Sequence, residues 1–597
     1  MKSIIFSLVA GMLQIMVVGG IQNGISFDPQ QLKPPASTSA EKDRCTVSGR
    51  VSNLQTGEPV KKATLHLTRR GGSRSANGMY ESTGYSGTSE PDGSFKFEAV
   101  EPGNYSLTGE RPGYIQNAYG SKNGMTAGTA IQLSPGQKLT DLKMQLVPQA
   151  TISGKVVDED GDPAGNVSVQ ALGKTWALGG KPRYFIMGQG STDDTGVFRI
   201  ANLRPGKYYV VVQSSQQQMM GMREAPATPG KPDIRPARTF YPGSLDRTSA
   251  TALDLQPGQD LPGIDIRMRA VQTFHVRGKA AVPLPESNNR PTMLTLMPQT
   301  EDGQMFMTAG GMVAKDGTFD FAGVAPGSYT ISSAMFSGQQ QTFIHQNVEV
   351  GSSDVNDVVL TAQSMFSLHG SVDLQGTLLG SSQDKSLENI QVMLTAENDS
   401  IMMFSRAFAT TKADGSFTIE RVMPAKFRVR ITNQPEGSYV ASIRFGNQEM
   451  LGKTLDLTQA SGGEIRVSLK AGAAEVSGTV QTKQADPAAS TSSALVPATS
   501  ASVLLIPEDL TLNGGSVHTA GTNQNGSFTA KDLEPGRYYA VAYEPEEYRN
   551  FSDPAILKQL VDKGTKVEVK ENDKQQLQLN LLAPDELQKA VAAGLDN

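Results

Sequence analysis

With 597 residues, the chain is too long for one core and is expected to fold as several domains of about 100–150 residues each. Its 61 glycines and 33 prolines, with 38% hydrophobic residues, favour many short strands and frequent turns over long helices. The net charge of -5 is dispersed along the chain. This excludes the clustered basic face that a nucleic-acid partner requires.

The N-terminus has the pattern of a signal peptide. Lys2 supplies a positive start, residues 4–18 form an apolar run, and Gly19 and Gly20 offer small residues for cleavage. The run is shorter than a membrane-spanning helix requires, and no later stretch approaches that length, so we expect no membrane span after signal removal. A leader retained as an anchor is the alternative. We expect a secreted, periplasmic or cell-surface protein, with residues 1–20 as signal peptide and residues 21–44 as a flexible linker.

A motif of turn, aromatic and aliphatic residues follows and occurs five times. Its first copy is PDGSFKFEAVEPGNYSL (91–107). In every copy an aliphatic residue, a Pro and a second aromatic follow the first Phe at fixed distances; the first phenylalanines are Phe95, Phe198, Phe319, Phe417 and Phe528. Asp-Gly or Asn-Gly before the Phe favours a tight hairpin, and Pro-Gly predicts a second turn. Each copy therefore predicts turn, strand, turn, strand, with alternate residues facing inward.

A strand with a central glycine precedes each motif: VSGRV (47–51), ISGKV (152–156), VRGKA (276–280), LHGSV (368–372) and VSGTV (476–480). The repeat is roughly a hundred residues long, the size of a domain. We predict an all-β protein of about five tandem antiparallel seven-stranded Greek-key β-sandwiches with short C-terminal helical decoration. The expected sandwiches cover residues 45–148, 149–271, 272–363, 364–472 and 473–597. End to end they would form a rod of about 170 Å.

The last sandwich carries two expected departures from this pattern. QADPAASTSSALVPATSAS (484–502) has low complexity and is expected to be a loop. DPAILKQLVDKG (553–564) has helical spacing, and the tail from Pro584 predicts a second short helix.

These repeats resemble tandem carboxypeptidase regulatory-like domains, which are prealbumin-like or transthyretin-like sandwiches related to the B-type repeats of collagen adhesins. The resemblance is carried by SGKV (153–156), EDGDPAGNVSVQAL (159–172) and TGVFRIANLRPGKYYV (195–210), with their counterparts in the other repeats. It covers nearly everything after Cys45 and is weaker in the third and fourth repeats. It implies an exported bacterial protein with a carbohydrate-binding-like fold, although a fold does not determine a function.

No reaction chemistry is apparent in the sequence. The five histidines, His66, His275, His345, His369 and His518, are scattered, with no spacing typical of a zinc site. No Gly-x-Ser-x-Gly elbow occurs between a strand and a helix. DEDGD (158–162) has the acidic character of a calcium loop but lies where a hairpin turn is expected. Lys155 and Asn580, candidates for a covalent crosslink, belong to different repeats. We predict no enzyme activity, no metal and no cofactor.

Aromatic residues are the candidates for ligand binding, because exposed rings stack on sugar faces. Trp176, the only tryptophan, precedes Tyr184 and Phe185 across a Gly-Gly turn, and Tyr119 and Tyr241 lie in other loops. The alternative is that these rings cap the sandwich cores. We predict a non-catalytic binding or adhesion protein whose partner is a polysaccharide or a surface protein. The alternative function is a structural spacer without a small ligand.

Overall fold

The computed structural model describes residues 41–70, 84–121, 128–176, 182–214, 232–280, 292–299, 309–337, 340–378, 387–397, 407–459, 462–484, 494–509, 517–545, 551 and 554–595. The expected signal peptide and most of the expected linker lie outside these residues. The described residues contain ten β-sheets and two α-helices, and they form five successive two-sheet sandwiches. The predicted all-β fold is therefore confirmed.

The first three sandwiches each pair one sheet that holds the opening strand with a second sheet. The first has Ser94–Val100, Cys45–Asn53, Lys138–Pro148 and Tyr114–Ile115 facing Gly84–Thr88, Thr64–Arg69, Gly103–Glu110, Asn117–Ala118 and Ile131–Leu133. The second has Val197–Leu203, Ala150–Val157, Asp260–Leu261 and Ile266–Arg267 facing Pro182–Ser191, Val167–Trp176, Gly206–Ser214, Thr239–Phe240 and Leu253–Leu255. The third has Thr318–Val324, Ala270–Ala280, Val355–Leu360 and Asp233–Pro236 facing Ala309–Met312, Met293–Pro298, Gly327–Ser337, Gln340–Val350 and Ala362–Ser364.

The last two sandwiches follow the same plan. The fourth has Ser416–Val422, Phe366–Gln375, Glu464–Ala471, Ser438–Phe445 and Gln448–Glu449 facing Phe408–Thr410, Gln391–Ala396, Lys426–Thr432 and Leu455–Asp456. The fifth has Ser527–Leu533, Ala474–Gln484, Lys574–Asn580 and Ala494–Pro497 facing His518–Gly521, Ser502–Pro507, Gly536–Tyr543 and Thr565–Val569. Ala494–Pro497 lies inside the low-complexity segment expected to be a loop, so that part of the expectation is wrong.

The first turn of each motif is closed by a side chain and a glycine. The Asp92 carboxylate accepts a hydrogen bond from the Ser94 N–H at 3.0 Å, and Asp316 and Asp414 bind the corresponding N–H groups in the third and fourth sandwiches. The glycines at 93, 196, 317, 415 and 526 all have φ between 72° and 81°. In this left-handed region glycine has no Cβ penalty. The tight turns predicted from Asp-Gly and Asn-Gly are confirmed, but the predicted hairpins are wrong, because the strands before and after each turn belong to different sheets of the sandwich.

The second aromatic of the motif closes the Pro-Gly turn from inside the core. The hydroxyls of Tyr105, Tyr208 and Tyr329 each donate to the carbonyl oxygen four residues earlier, at 2.9 Å, and that of Tyr538 does so at 2.8 Å. Burial raises the pKa of Tyr208 and of Tyr329 to about 12. The fourth sandwich has Phe427 at this position and lacks the bond. The motif therefore supplies both an apolar ring and an internal clamp for the turn.

The central glycine of each opening strand permits a close approach of the last strand of the sandwich. Opening and last strands pair in parallel in all five sandwiches, so the sheets are mixed rather than purely antiparallel. A Cβ atom on Gly49, Gly154, Gly278 or Gly478 would lie 1.9–2.2 Å from a carbonyl oxygen of that last strand. On Gly370 it would lie 2.4 Å from such an oxygen. Only glycine fits this crossing.

Each sandwich has its own apolar core, and the repeated motif fills it. The largest fully buried side chains include one motif residue from every copy: Tyr105, Phe198, Phe321, Phe427 and Tyr538. The two predicted helices are also confirmed, as Pro554–Val561 and Pro584–Leu595. They pack together on the outer face of the fifth sandwich, where Ile556, Leu557 and Leu560 are buried.

Adjacent sandwiches share contacts at their junctions. Asp233–Pro236 lies within the segment expected to form the second sandwich, yet it pairs with the opening strand of the third. Phe343 of the third sandwich packs against the core of the fourth. Between the fourth and fifth, the Gly437 N–H donates to the Asp532 carboxylate at 2.7 Å and Lys531 pairs with Glu436.

The five sandwiches do not form the open rod that we expected. Thr129 of the first sandwich donates a hydrogen bond to the carbonyl of Thr499 in the fifth, and Ala130 forms a parallel bridge with Asn523. The first and last sandwiches are therefore in contact. The rod prediction assumed that short junctions keep successive domains in line, whereas the junctions turn the chain back on itself.

Candidate functional site

Tyr184 lies in a small apolar cluster on the outer face of the second sandwich. It is 6% exposed and packs with Leu172, Val211 and Phe240. Its ring meets that of Tyr209 edge-to-face, with centroids 5.6 Å apart. The Arg247 guanidinium lies 4.1 Å above the ring centre. Residues about sixty positions later in the chain therefore cover the ring.

The prediction that Tyr184 is an exposed ring for sugar stacking is wrong, because the protein's own side chains occupy both the edge and the face of the ring. Phe185, its neighbour on the same strand, is half-buried. Trp176 is the last residue of its strand and pairs with Pro182 on the neighbouring strand. The Trp176 side chain lies outside the described part of the structure.

The remaining two aromatic candidates sit against sandwich cores. Tyr119 is half-buried and packs on the first core, and burial raises its pKa. Tyr241 is half-buried and packs on the second core. These positions agree with the alternative that the rings cap the cores.

The acidic loop at 158–162 is a turn closed by its first residue. One oxygen of the Asp158 carboxylate accepts hydrogen bonds from the N–H groups of Asp160, Gly161 and Asp162, at 2.9–3.0 Å. An oxygen held by three N–H donors is directed at the backbone, whereas a calcium ligand must face the cation. Among the residues that the structure describes, no group of three or more His, Cys, Asp or Glu side chains is placed to hold a metal ion.

A groove of about 790 Å³ runs along one side of the third sandwich. Side chains of its opening strand, of Thr318–Val324 and of the last strand Val355–Leu360 line it, together with Met312. Asp357 in the last strand adopts φ of 64°, and the ladder shifts register between Val276 and Gly278. Past this bulge Leu360 is buried and Val359 is 56% exposed.

Charged side chains form a network at the groove. The Arg277 guanidinium donates to Asp320 at 3.1 Å and to Asp354 at 2.8 Å, and the His275 ring lies 2.7 Å from the other Asp320 oxygen. The His275 backbone N–H, followed by the Arg277 guanidinium, holds the pKa of Asp354 below its usual value. The pairing orients these groups but leaves them in contact with solvent.

Exposed apolar side chains accompany these charges. Met312 is 38% exposed and Val359 is 56% exposed, and both line the groove. Met293, directly opposite Met312 on the neighbouring strand, is 62% exposed. The lining of the groove thus contains both exposed apolar side chains and charged side chains.

Sequence reasoning missed this groove because its lining comes from segments about eighty residues apart. One signal was present: Arg277 and Lys279 alternate with the buried positions of the opening strand, which places both on its outer face. Among the described residues, no helix has the length and apolar character to cross a membrane.

Comparison with known proteins identifies the first two sandwiches. Residues 46–147 and 151–233 match the family model of the carboxypeptidase regulatory-like domain. No curated protein matches the chain. Similar solved structures include the Bacillus anthracis TIE protein, with 10% identity over 72% of this chain and 76% of that one and a TM-score of 0.14.

Two further similar structures are a minor pilin of Streptococcus agalactiae and two B repeat units of the collagen-binding protein of Staphylococcus aureus. The pilin is 12% identical over 38% of this chain and 97% of its own, with a TM-score of 0.22. The B repeats are 13% identical over 71% of this chain and 99% of their own, with a TM-score of 0.13. Because these scores are low, the assignment rests on the domain match, and residues 46–147 and 151–233 belong to the carboxypeptidase regulatory-like domain family.

Proposed function

We propose that this protein is a non-catalytic, exported adhesion protein that binds a protein partner through the groove of the third sandwich. The observation that carries the proposal is the combination, in one open groove, of exposed Met312 and Val359 with the paired charges of Arg277 and Asp320. Export is inferred from the leader sequence.

The lining of the groove favours a protein over a small molecule. Small-molecule sites are enclosed and mostly apolar, with few polar groups. Protein interfaces instead have an apolar centre with a polar rim and are enriched in Met and Arg. The groove is closer to this second composition, since Met312, Val359 and Arg277 all line it. Its partner is expected to present an apolar side chain between charged groups of its own.

The contact between the first and fifth sandwiches argues against the spacer alternative. A spacer acts through its length, and a chain whose two ends meet presents little of the length that five sandwiches could span. A folded-back chain instead presents the side surfaces of its sandwiches. The function is therefore better sought in a surface such as the groove than in extension.

The test measures binding of the full-length chain to immobilised proteins and polysaccharides and compares two substitutions. Val359→Asp places a charge at an apolar residue of the groove lining that is 56% exposed. Val197→Asp is the matched control, because Val197 is 48% exposed on a strand of the second sandwich. Loss of a central interface residue costs about 2 kcal/mol or more at a hot spot, so we expect about a 30-fold weaker protein binding for Val359→Asp. The control should bind as the wild type does.

Other outcomes contradict the proposal. Binding of proteins that is equally affected by both substitutions would place the site elsewhere. Binding to polysaccharides alone would favour sugar stacking, for which Trp176 and Phe185 remain the predicted residues. In that case Trp176→Ala should weaken binding several-fold without loss of β structure.

A further inference from the structure

In the contact between the first and fifth sandwiches, one side-chain amide forms the hydrogen bonds that a neighbouring strand would form. The Gln524 side chain accepts a hydrogen bond from the Gln132 backbone N–H at 3.0 Å and donates one to the Gln132 carbonyl at 2.8 Å. The Gln524 backbone N–H donates to the Ala130 carbonyl at 3.2 Å. One residue of the fifth sandwich thus satisfies three backbone groups of the first.

Gln524 occupies a position of the repeated motif where the other copies have different chemistry. It lies four residues before the first Phe, and the corresponding residues are Pro91, Asp194, Lys315 and Ala413. A carboxamide both donates and accepts, and none of those four side chains can replace both bonds. The turn of the fifth sandwich therefore differs from the other four in a residue whose side chain makes two bonds of the contact.

Asn523 adds a second distinction. Its side-chain oxygen accepts from the N–H groups of Asn525 and Ser527, which closes the turn, and its amide nitrogen donates to the Gln132 side chain at 3.2 Å. Asp193 closes the second turn through the same two bonds but has no side-chain N–H. The Asn523 side chain therefore both closes the turn through its oxygen and contacts the first sandwich through its amide nitrogen.

The surface contacted on the first sandwich is a sheet edge. Ile131–Leu133 pairs on one side with Gly103–Glu110, and Gln132 exposes its backbone groups on the other. An uncovered strand edge is a template for pairing with other chains, so proteins generally cover it. The turn at 523–526 covers this edge, and Thr129 beside it is buried.

We propose that Asn523 and Gln524 form a latch that reversibly closes the chain on itself, so that the protein exists in a closed and an extended state. The described contacts between the two sandwiches join neutral groups, and each such bond replaces bonds to water, so its net contribution is small. Opening would free the edge at Ile131–Leu133 for a second chain. Because no charged pair among the described residues carries the contact, the closed fraction should be insensitive to salt.

The test uses an engineered cysteine pair. Ala130→Cys with Asn523→Cys joins two residues that are bridged in the structure, and the native Cys45 is buried, with its thiol donating to the Ser134 carbonyl. Under mild oxidation we expect a disulfide within one chain, detected by peptide mapping of the monomer. The control pair, Ala130→Cys with Lys412→Cys, places the second cysteine at the same turn position of the fourth sandwich and should not join within a chain.

Gln524→Pro in the cysteine-pair background tests the contribution of Gln524 to the latch, because Asn523→Cys removes the Asn523 amide from both of the chains that are compared. Proline occupies this turn position in the first sandwich, so the turn tolerates it, but it removes all three bonds of Gln524. We expect at least a roughly tenfold slower disulfide formation. In the chain without engineered cysteines, the same change should increase the radius of gyration measured by small-angle scattering, at both low and high salt.

Three results would overturn the proposal. These are disulfides that form only between chains, a disulfide rate unaffected by Gln524→Pro, and a radius of gyration that is the same with and without the substitution. None of them bears on the groove of the third sandwich, so failure of the latch and failure of the proposed function are distinguishable.

Discussion

Replacement of Gly478 by Ala tests the explanation of the glycine in each opening strand. Gly478 pairs with Phe528 on one side and in parallel with Leu577 on the other. A Cβ atom at this position would lie 1.9 Å from the Leu577 carbonyl oxygen and 2.8 Å from its carbonyl carbon. Both belong to the backbone, so no change of rotamer can relieve the overlap.

The loss in free energy of unfolding caused by Gly478→Ala can be estimated from the displacement of the last strand. A carbon and an oxygen need more than about 3 Å between them, so the last strand must shift by over an ångström. Overpacking in a core costs about 1–3 kcal/mol even where side chains can adjust. Displaced strands also lose ladder hydrogen bonds, each contributing about 1 kcal/mol. We therefore expect a loss of about 3 kcal/mol or more in the free energy of unfolding of the fifth sandwich.

Hydrogen–deuterium exchange of the full-length chain measures this loss sandwich by sandwich. Peptides covering 474–484 and 574–580 should exchange about a hundredfold faster in Gly478→Ala, while those of the first sandwich remain unchanged. Gly521→Ala is the matched control in the same sandwich, because a Cβ there has no atom within 4 Å. The reasoning is refuted if the two alanine variants are equally protected.

Four further predictions concern pH, the motif, the aromatic cluster and activity. Burial lowers the pKa of His518 from 6.5 to about 4, so between these pH values only the unfolded chain binds a proton at this side chain. The free energy of unfolding should therefore fall by up to about 3 kcal/mol as pH decreases from 6.5 to 4. His518→Gln should make the free energy of unfolding, measured by denaturant titration, less dependent on pH. Tyr538→Phe should cost about 1 kcal/mol in thermal unfolding, since it removes the bond to the Glu534 carbonyl. Tyr184→Ala should destabilise the second sandwich by about 3–5 kcal/mol, measured by chemical denaturation, and leave polysaccharide binding unchanged. Peptidase and glycosidase assays with added zinc should show no turnover, and a turnover abolished by one substitution would contradict the non-catalytic function.

Local sequence patterns determined the number of repeats and the type of each element. Asp92-Gly93 and its counterparts define tight turns because they tolerate the left-handed backbone that the turn requires. The spacing of Ile556, Leu557 and Leu560 defines one face of a helix, and the structure buries that face. These signals operate over a few residues, so they are readable without knowledge of the neighbouring strands.

Alternation along a strand shows that a residue faces inward or outward, but it does not show what covers the outer face. The position of Tyr184 shortly after the lone tryptophan predicts an exposed ring, whereas Arg247 and Phe240, far along the chain, cover it. The sequence also shows that each opening strand contains a glycine without showing why.

Only the tertiary structure decided how distant segments meet. The carbonyl group that leaves room only for glycine at position 478 belongs to Leu577, about a hundred residues later. Asp233–Pro236 pairs with the opening strand of the next sandwich. Gln524 donates a hydrogen bond to Gln132 in the first sandwich. A hydrogen bond or a steric overlap depends on positions known to a fraction of an ångström. These positions depend on the conformation of every turn and junction between the two segments, which no local sequence pattern specifies.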